Sequence, residues 1–432
     1  MEHYTTKNGI KVYIEKMPST ESVSLDLYVK VGSRDETPDN NGISHLLEHL
    51  HFRSLVNMTQ EDIYYETESM GASLKAGTSK EFLRFYIKFR PNYISRILDL
   101  LVKIVEMDKW TEKDIEQEKT VVINEIVERE SCFNEDRYIE WDLWKKHPLC
   151  LSIVGTEDSV SDITLKDIIE HKKNAFRNDN MFFVISGKLA TTDIELIINK
   201  ISSIRLTEGG KLPRRMVPSK SNKPIVSFVK TNNDFLDVII SFKNDYSLVD
   251  RESLVLLSSI IGGGYGAILQ RLVREKVGLL YNIFSEVYSY GDTAILQIQC
   301  GVKKKNLMEV LNVVFNAIKK TKMHISQKEM LINIPFYTDN LLFWKEDTSI
   351  FNENIGWEIA LGSVNDNPIQ QKIDKYLSIT KEQIMNAAKA LFTIDNTYVL
   401  ILGATGRYTK KEVIENICIL EEHNRDGSFC VG

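Results

Sequence analysis

Hydrophobic positions along this chain switch repeatedly between a period of two and a period near four, and the switches mark out a series of strands and helices. In the first half, short apolar runs predict strands over residues 11–15 and 22–31, followed by a helix carrying His45 and His49 and a turn at Gly71. Residues 82–89 alternate apolar side chains with charges and predict another strand, while residues 93–107 space their apolar positions as an amphipathic helix does. The second half predicts strands over 225–231 and 237–242 and a helix over 253–261. After a break at Gly262-Gly263-Gly264 come a helix over 267–276, strands over 281–287 and 293–302, and a helix over 307–321. Strands come in hairpins and helices in runs, so each half is predicted as α+β, a mostly antiparallel sheet covered on one face by helices.

The chain is also written twice. Ile163-Thr164 to Gly187 matches Ile379-Thr380 to Gly403 without gaps at a constant offset of 216 residues, with Phe176 on Phe392, Asp179-Asn180 on Asp395-Asn396 and Val184 on Leu400. Each copy predicts a helix begun by Thr, an Asp-Asn turn, and a buried strand closed by Gly. A chain of 432 residues is too long for one core, and the repeat divides it into two similar domains, residues 1–210 and 225–432. Between them, residues 211–224 are polar and cationic and hold Pro213, Pro218 and Pro224, the composition of a linker.

Candidate chemistry centres on His45-Leu46-Leu47-Glu48-His49. Two histidines four apart on a helix lie on one face, about 5 to 6 Å apart at Cβ, so both imidazoles can turn onto one metal ion. Glu48 shares that face and is the natural general base for a metal-activated water. His-x-x-Glu-His is the inverted order of the commoner His-Glu-x-x-His zinc-protease helix. With Glu125, 76 positions after His49, the pattern reads as a catalytic zinc site. A structural zinc is disfavoured, because such sites are usually four-coordinate and rich in Cys.

Gly32-Ser33-Arg34-Asp35-Glu36, followed by Asn41 to His49, resembles the signature of the pitrilysin-type zinc peptidases, the inverzincins. Gly71 to Tyr86 resembles that family's edge-strand motif, and Glu118 to Ile126 and Leu272 to Tyr281 give further matches, so the likeness spans nearly the whole chain. Length and a single pair of repeats point to the branch of mitochondrial processing peptidase subunits and short bacterial processing proteases. The resemblance implies a single zinc ion per chain held by His45, His49 and Glu125, with Glu48 as general base and Glu118 as a carboxylate behind the ligands. It implies an Arg274/Tyr281 pair reaching the substrate carbonyl and Phe52 lining the pocket after the scissile bond. Peptide substrates would lie extended along the edge near Ser73 to Thr78, bound at Lys75, Ala76 and Gly77. It also implies a dimer, either a homodimer or a heterodimer with a paralogous subunit, in which the Arg/Tyr pair acts on the partner's zinc domain. Two positions depart from the family pattern: Lys75 stands where Asn is usual, and the zinc helix continues Leu50-His51-Phe52-Arg53-Ser54. The implied activity is a zinc metalloendopeptidase acting on unfolded, leader or presequence-type peptides. The alternative is a non-catalytic scaffold or peptide-binding subunit of a heterodimeric peptidase.

Charge and composition narrow the remainder. Net charge is −6, and the Lys and Arg residues are scattered, so no basic field is offered to nucleic acid. No run of 18 apolar residues is present, and the first residues resemble neither a signal nor a transit peptide. Five widely spaced cysteines have no C-x-x-C pair, which makes a reducing cytoplasm the simplest expectation. His51 is expected in a structural role, and His3, His147, His171, His324 and His423 are expected in solvent. The acidic stretch after Glu125, with Glu135 and Asp136, is expected as a solvated helix face, with recognition of a basic substrate residue as the sharper reading.

Overall fold

The structure, a computed structural model, describes the chain apart from residues 107–109, 132–134, 207–209, 211, 213–214, 220, 232–234, 277–279, 363–367, 407 and 422–432. The side chains of residues 130–131, 135–137, 274–276 and 280–281 also lie outside the description. The chain forms two compact units, Met1–Met216 with Leu342–Pro368, and Val217–Leu341 with Ile369–Gly432.

In the first unit, β1 (Glu2–Thr5), β2 (Lys11–Lys16), β3 (Val23–Val29), β4 (Lys75–Thr78), β5 (Leu83–Phe89) and β6 (Met181–Gly187) form a sheet in the order β1-β2-β6-β3-β5-β4. Only β2 and β6 pair in parallel. Helices α1 (Ile43–Arg53), α2 (Ile94–Val105), α3 (Glu112–Ser131) and α4 (Leu165–Ala175) close a hydrophobic core over one face. Val23, Leu25, Leu27 and Val29 point into that core at strand period two.

The intervening residues of β3, Ser24, Asp26 and Tyr28, are equally buried, because a helix from the second half of the sequence, α5 (Thr348–Ala360), covers the other face. This segment packs with the first unit, whereas the sequence reading places it in the second domain. The polar groups in the contact are well matched. Ser24 Oγ lies 2.8 Å from Thr348 Oγ1, and Asn352 Nδ2 donates to Asp26 Oδ1 at 2.8 Å and to the Val184 carbonyl at 3.0 Å. Arg84 Nε donates to Asp26 Oδ2 at 2.7 Å. Gly356 lets α5 come down on Tyr28, since a Cβ there would stand 2.1 Å from the phenol ring.

Burial pushes the Asp26 carboxyl up to about 6, against the opposing pull of Arg84 and Asn352. A folded-state value above the ordinary carboxylate range favours the protonated acid in the folded protein. Its contribution to stability is therefore complete below the unfolded value and lost as pH rises through about 6. We predict that, between pH 7 and pH 5, urea unfolding of the wild type gains stability relative to Asp26→Asn. Equal pH slopes in the two proteins would contradict the assignment.

In the second unit, β7 (Ile225–Val229), β8 (Phe235–Asp245), β9 (Leu280–Ser289), β10 (Thr293–Lys303) and β11 (Thr397–Leu402) order as β9-β10-β8-β11-β7, with β7 and β11 parallel. That order repeats β4-β5-β3-β6-β2 strand for strand. The internal repeat is matched at single bonds. Asn180 Nδ2 donates to the Ala175 carbonyl at 2.9 Å, and 216 residues later Asn396 Nδ2 donates to the Leu391 carbonyl at 2.8 Å. Thr164 caps α4, as Thr380 caps α6 (Lys381–Leu391), each hydroxyl accepting from the backbone N–H three residues on.

Within the linker, Arg215 and Met216 are bonded to the first unit. Arg215 reaches both oxygens of Asp35 at 2.8 Å, and the Met216 carbonyl accepts from Arg34 Nη2 and His147 Nε2, each at 2.8 Å. His147 is therefore buried rather than solvated, as is His171, whose Nε2 meets Ser44 Oγ at 3.0 Å. His3 and His324 are exposed, and His423 lies outside the described residues.

Candidate metal centre

The site is assembled on α1 and α3. Gly42 begins α1 with φ of 94°, a conformation favouring glycine, and an added Cβ would also meet the Val154 carbonyl at 2.7 Å. The buried Glu36 carboxylate closes the helix start. It accepts from the Gly42 N–H at 2.7 Å, the Ser44 N–H at 2.9 Å and Asn41 Nδ2 at 2.8 Å, where the helix dipole favours a negative charge. Burial nevertheless pushes Glu36 above its ordinary value, against these hydrogen bonds. Below the site, His51 is buried. Its Nδ1 bonds the Leu47 carbonyl, and its ring packs with Phe85, Trp110 and Phe176, the structural role expected of it.

His45 and His49 stand with ring centroids 4.7 Å apart. Glu125 Oε2, presented by α3, lies 3.7 Å from His45 Nε2 and 3.6 Å from His49 Nε2. These separations are too long for hydrogen bonds. They suit three donors around one ion, since tetrahedral arms of about 2.0 to 2.1 Å set neighbouring ligands roughly 3.4 Å apart. The nitrogen and oxygen donor set is one that zinc accepts, so the residues fit the metal. Among the described residues this is the only group of at least three His, Cys, Asp or Glu side chains disposed to hold an ion.

The surrounding charges keep the donors aimed. Glu118 Oε2 lies 3.5 Å from His49 Nδ1, and Arg53 Nη1 lies 3.8 Å from Glu118 Oε1. Arg129 Nη2 pairs with Glu125 Oε1 at 2.8 Å, leaving Oε2 for the histidines. Burial pushes His45 down to about 3, with His49 and Arg129 acting in the same direction, so its imidazole is neutral at pH 7 as a metal ligand must be. Burial also opposes charge on His49, yet Glu118, Glu48 and Glu125 together hold it above its ordinary value. Glu48 is pushed up by burial and by Glu125, against the Thr78 hydroxyl and His49. A carboxylate raised in this way accepts a proton more readily than an ordinary one.

Edge strand β4 brings the remaining residues near. Ala76 pairs with Phe85 and Thr78 with Leu83, and Phe85 touches His51 of α1, so Ala76 and Thr78 share the face of the zinc helix. Lys75 and Gly77 are exposed and alternate onto the other face, with Tyr86 and Arg84. Thr78, which the sequence places at the end of the substrate edge without a role of its own, donates to Glu48 Oε2. Counting two residues from Ala76 would have pointed to that role. Phe52 is half-buried against the core. Arg274 lies in the helical turn Gln270–Lys276 and Tyr281 in β9, but their side chains, like those of Glu135 and Asp136, lie outside the described ones.

The chain is similar to known proteins over most of its length. Residues 11–157 match the family model described as Insulinase (Peptidase family M16), and residues 162–332 match the Peptidase M16 inactive domain. An uncharacterized zinc protease of Bacillus subtilis is 25% identical over 411 residues, covering 93% of this chain and 98% of its own. The mitochondrial-processing peptidase subunit beta of Neurospora crassa is 29% identical over 403 residues, covering 89% of this chain and 84% of its own. The crystal structure of a protease from Helicobacter pylori shares the fold with a TM-score of 0.84 at 20% identity, over 93% of this chain and 99% of that one. No helix among the described residues is long and apolar enough to cross a membrane. With an insulinase-type first half carrying the His-x-x-Glu-His helix and an inactive-type second half of the same topology, the chain belongs to peptidase family M16, the insulinase or pitrilysin-type family.

Proposed function

We propose that the protein is a zinc metalloendopeptidase that hydrolyses unfolded or leader-type peptides, with one zinc ion per chain. The observation that carries this reading is the convergence of His45 Nε2, His49 Nε2 and Glu125 Oε2, with the half-buried carboxylate of Glu48 one residue from His49. Bound among these three side chains, zinc would supply Lewis-acid polarisation of the peptide carbonyl and a lowered pKa for water. Glu48 takes the proton from the attacking water and returns it to the leaving amine. Substrate lies extended beside β4, which among the described residues is the last strand of its sheet, so backbone groups of Lys75, Ala76 and Gly77 can pair with many sequences. Phe52 borders the residue after the cut.

In the same reading, Arg274 and Tyr281 donate to the developing oxyanion from a partner chain, as in the pitrilysin-type arrangement. The Neurospora relative is named as a subunit, which supports assembly with a second copy or a paralogue. A cytoplasmic location is part of the proposal and rests on the sequence alone.

The test is cleavage of a mixed library of unstructured peptides by the purified chain, with the cut positions mapped. Zinc-dependent cleavage supports the reading, and intact peptides in the presence of bound zinc would favour the scaffold alternative. Glu118 gives a second expectation. Because it touches His49 Nδ1, Glu118→Ala should weaken zinc binding about 10- to 100-fold by chelator competition. Unchanged affinity would remove Glu118 from the site.

A further inference from the structure

Resting on the peptidase reading, we infer that Thr78 is a positioning residue for the general base: its hydroxyl holds Glu48 Oε2 and leaves Oε1 to accept the proton of the attacking water. Apart from Thr78, no described residue hydrogen-bonds the Glu48 carboxylate. A carboxylate with one oxygen fixed has one orientation in place of several, and a base turned out of line transfers its proton poorly.

The strand that carries Thr78 is itself held where it ends. Its register places Thr78 opposite Leu83, which is fully buried. The turn that follows is pinned to the loop before α1, where the Ser33 N–H donates to the Ser79 carbonyl at 3.3 Å and the Arg34 N–H to the Lys80 carbonyl at 2.8 Å. Arg34 Nη1 also holds Glu81 Oε1 at 2.7 Å, and Arg215 adds a second guanidinium on the same carboxylate at 3.2 Å. The hydroxyl therefore projects from a rigid support rather than from a loose edge.

Alternation makes the placement informative. Lys75 and Gly77, on the opposite face, are exposed, and Ala76 carries no polar atom, so Thr78 is the one β4 residue able to give the zinc-helix face a side-chain hydrogen bond. It sits on the strand beside which a peptide would lie. The base and the substrate-bearing edge are thus tied together through a single hydroxyl.

Kinetics of peptide cleavage for the wild type, Thr78→Val and Thr78→Ser provide the test, with zinc affinity measured in each by chelator competition. Valine keeps the shape and removes the hydroxyl, whereas serine keeps the hydroxyl. The expected result is a kcat about tenfold lower in Thr78→Val with KM within about twofold, recovery to within about threefold in Thr78→Ser, and equal zinc affinity in all three. An unchanged kcat in Thr78→Val would overturn the inference, as would an equal fall in both variants or a loss of zinc affinity that tracks the loss of rate. A wild type that binds zinc and cleaves nothing would instead refute the peptidase reading, and the role of Thr78 with it.

Discussion

Replacing Glu48 with glutamine is expected to lower kcat/KM for unstructured peptides about a hundred- to ten-thousand-fold, the usual contribution of a general base. Glutamine keeps the side-chain length but cannot accept the proton of water. The metal donors, His45, His49 and Glu125, are untouched, so zinc content should equal that of the wild type. Thr78 can still donate to the amide oxygen, so no polar atom is stranded on the strand side. Steady-state kinetics together with elemental analysis check both halves of the expectation. A variant that cleaves at the wild-type rate would show that the base lies elsewhere.

The second large effect is on stability. Gly356→Ala should weaken the first unit by about 1 to 3 kcal/mol or more, because the new methyl group meets the ring of a fully buried tyrosine. Tyr28 cannot easily swing aside, since it stacks on Phe182 with centroids 5.0 Å apart and contacts Phe82. Tyr28→Ala alone leaves a cavity, but it removes the obstacle. The double variant Gly356→Ala/Tyr28→Ala should therefore be more stable than the sum of the two single losses implies. Urea unfolding measures all four proteins. Strict additivity would mean that α5 does not lie on Tyr28 as described.

The contact beneath that prediction also shows where sequence reasoning stopped. The run Val23-Ser24-Leu25-Asp26-Leu27-Tyr28-Val29 alternates as a strand with one wet face would, yet both faces are buried. What covers the polar face is α5, more than three hundred residues away in sequence, and its bonds to the sheet come from Thr348 and Asn352. The helical spacing of Phe351, Ile355 and Ile359 marks a covered helix but not which sheet it covers, so residues 342–368 read as part of the second half.

The internal repeat was legible because a Thr cap, an Asp-Asn turn and a closing Gly are local chemistry, repeated at one offset. His45, His49 and Glu48 were legible for a similar reason, since helical spacing alone puts them together. Glu125 needed the family pattern, because nothing local links α3 to α1. The roles of Glu36, Arg53 and Thr78 were not legible. Each acts on the site through a tertiary contact, as when Glu36 caps a helix that begins beyond the next loop. His147 and His171 looked like surface residues only because their partners, the Met216 carbonyl and Ser44, are distant in sequence.

Zinc added stepwise to the metal-free protein, while cleavage of an unstructured peptide is followed, tests the central claim most directly. We predict that activity rises in proportion to zinc and levels off at one equivalent per chain, and that His45→Ala shows no rise over the same range. Peptide cleavage that proceeds at full rate without zinc, or that is unaffected by loss of His45, would contradict the assignment of this site as the peptidase centre.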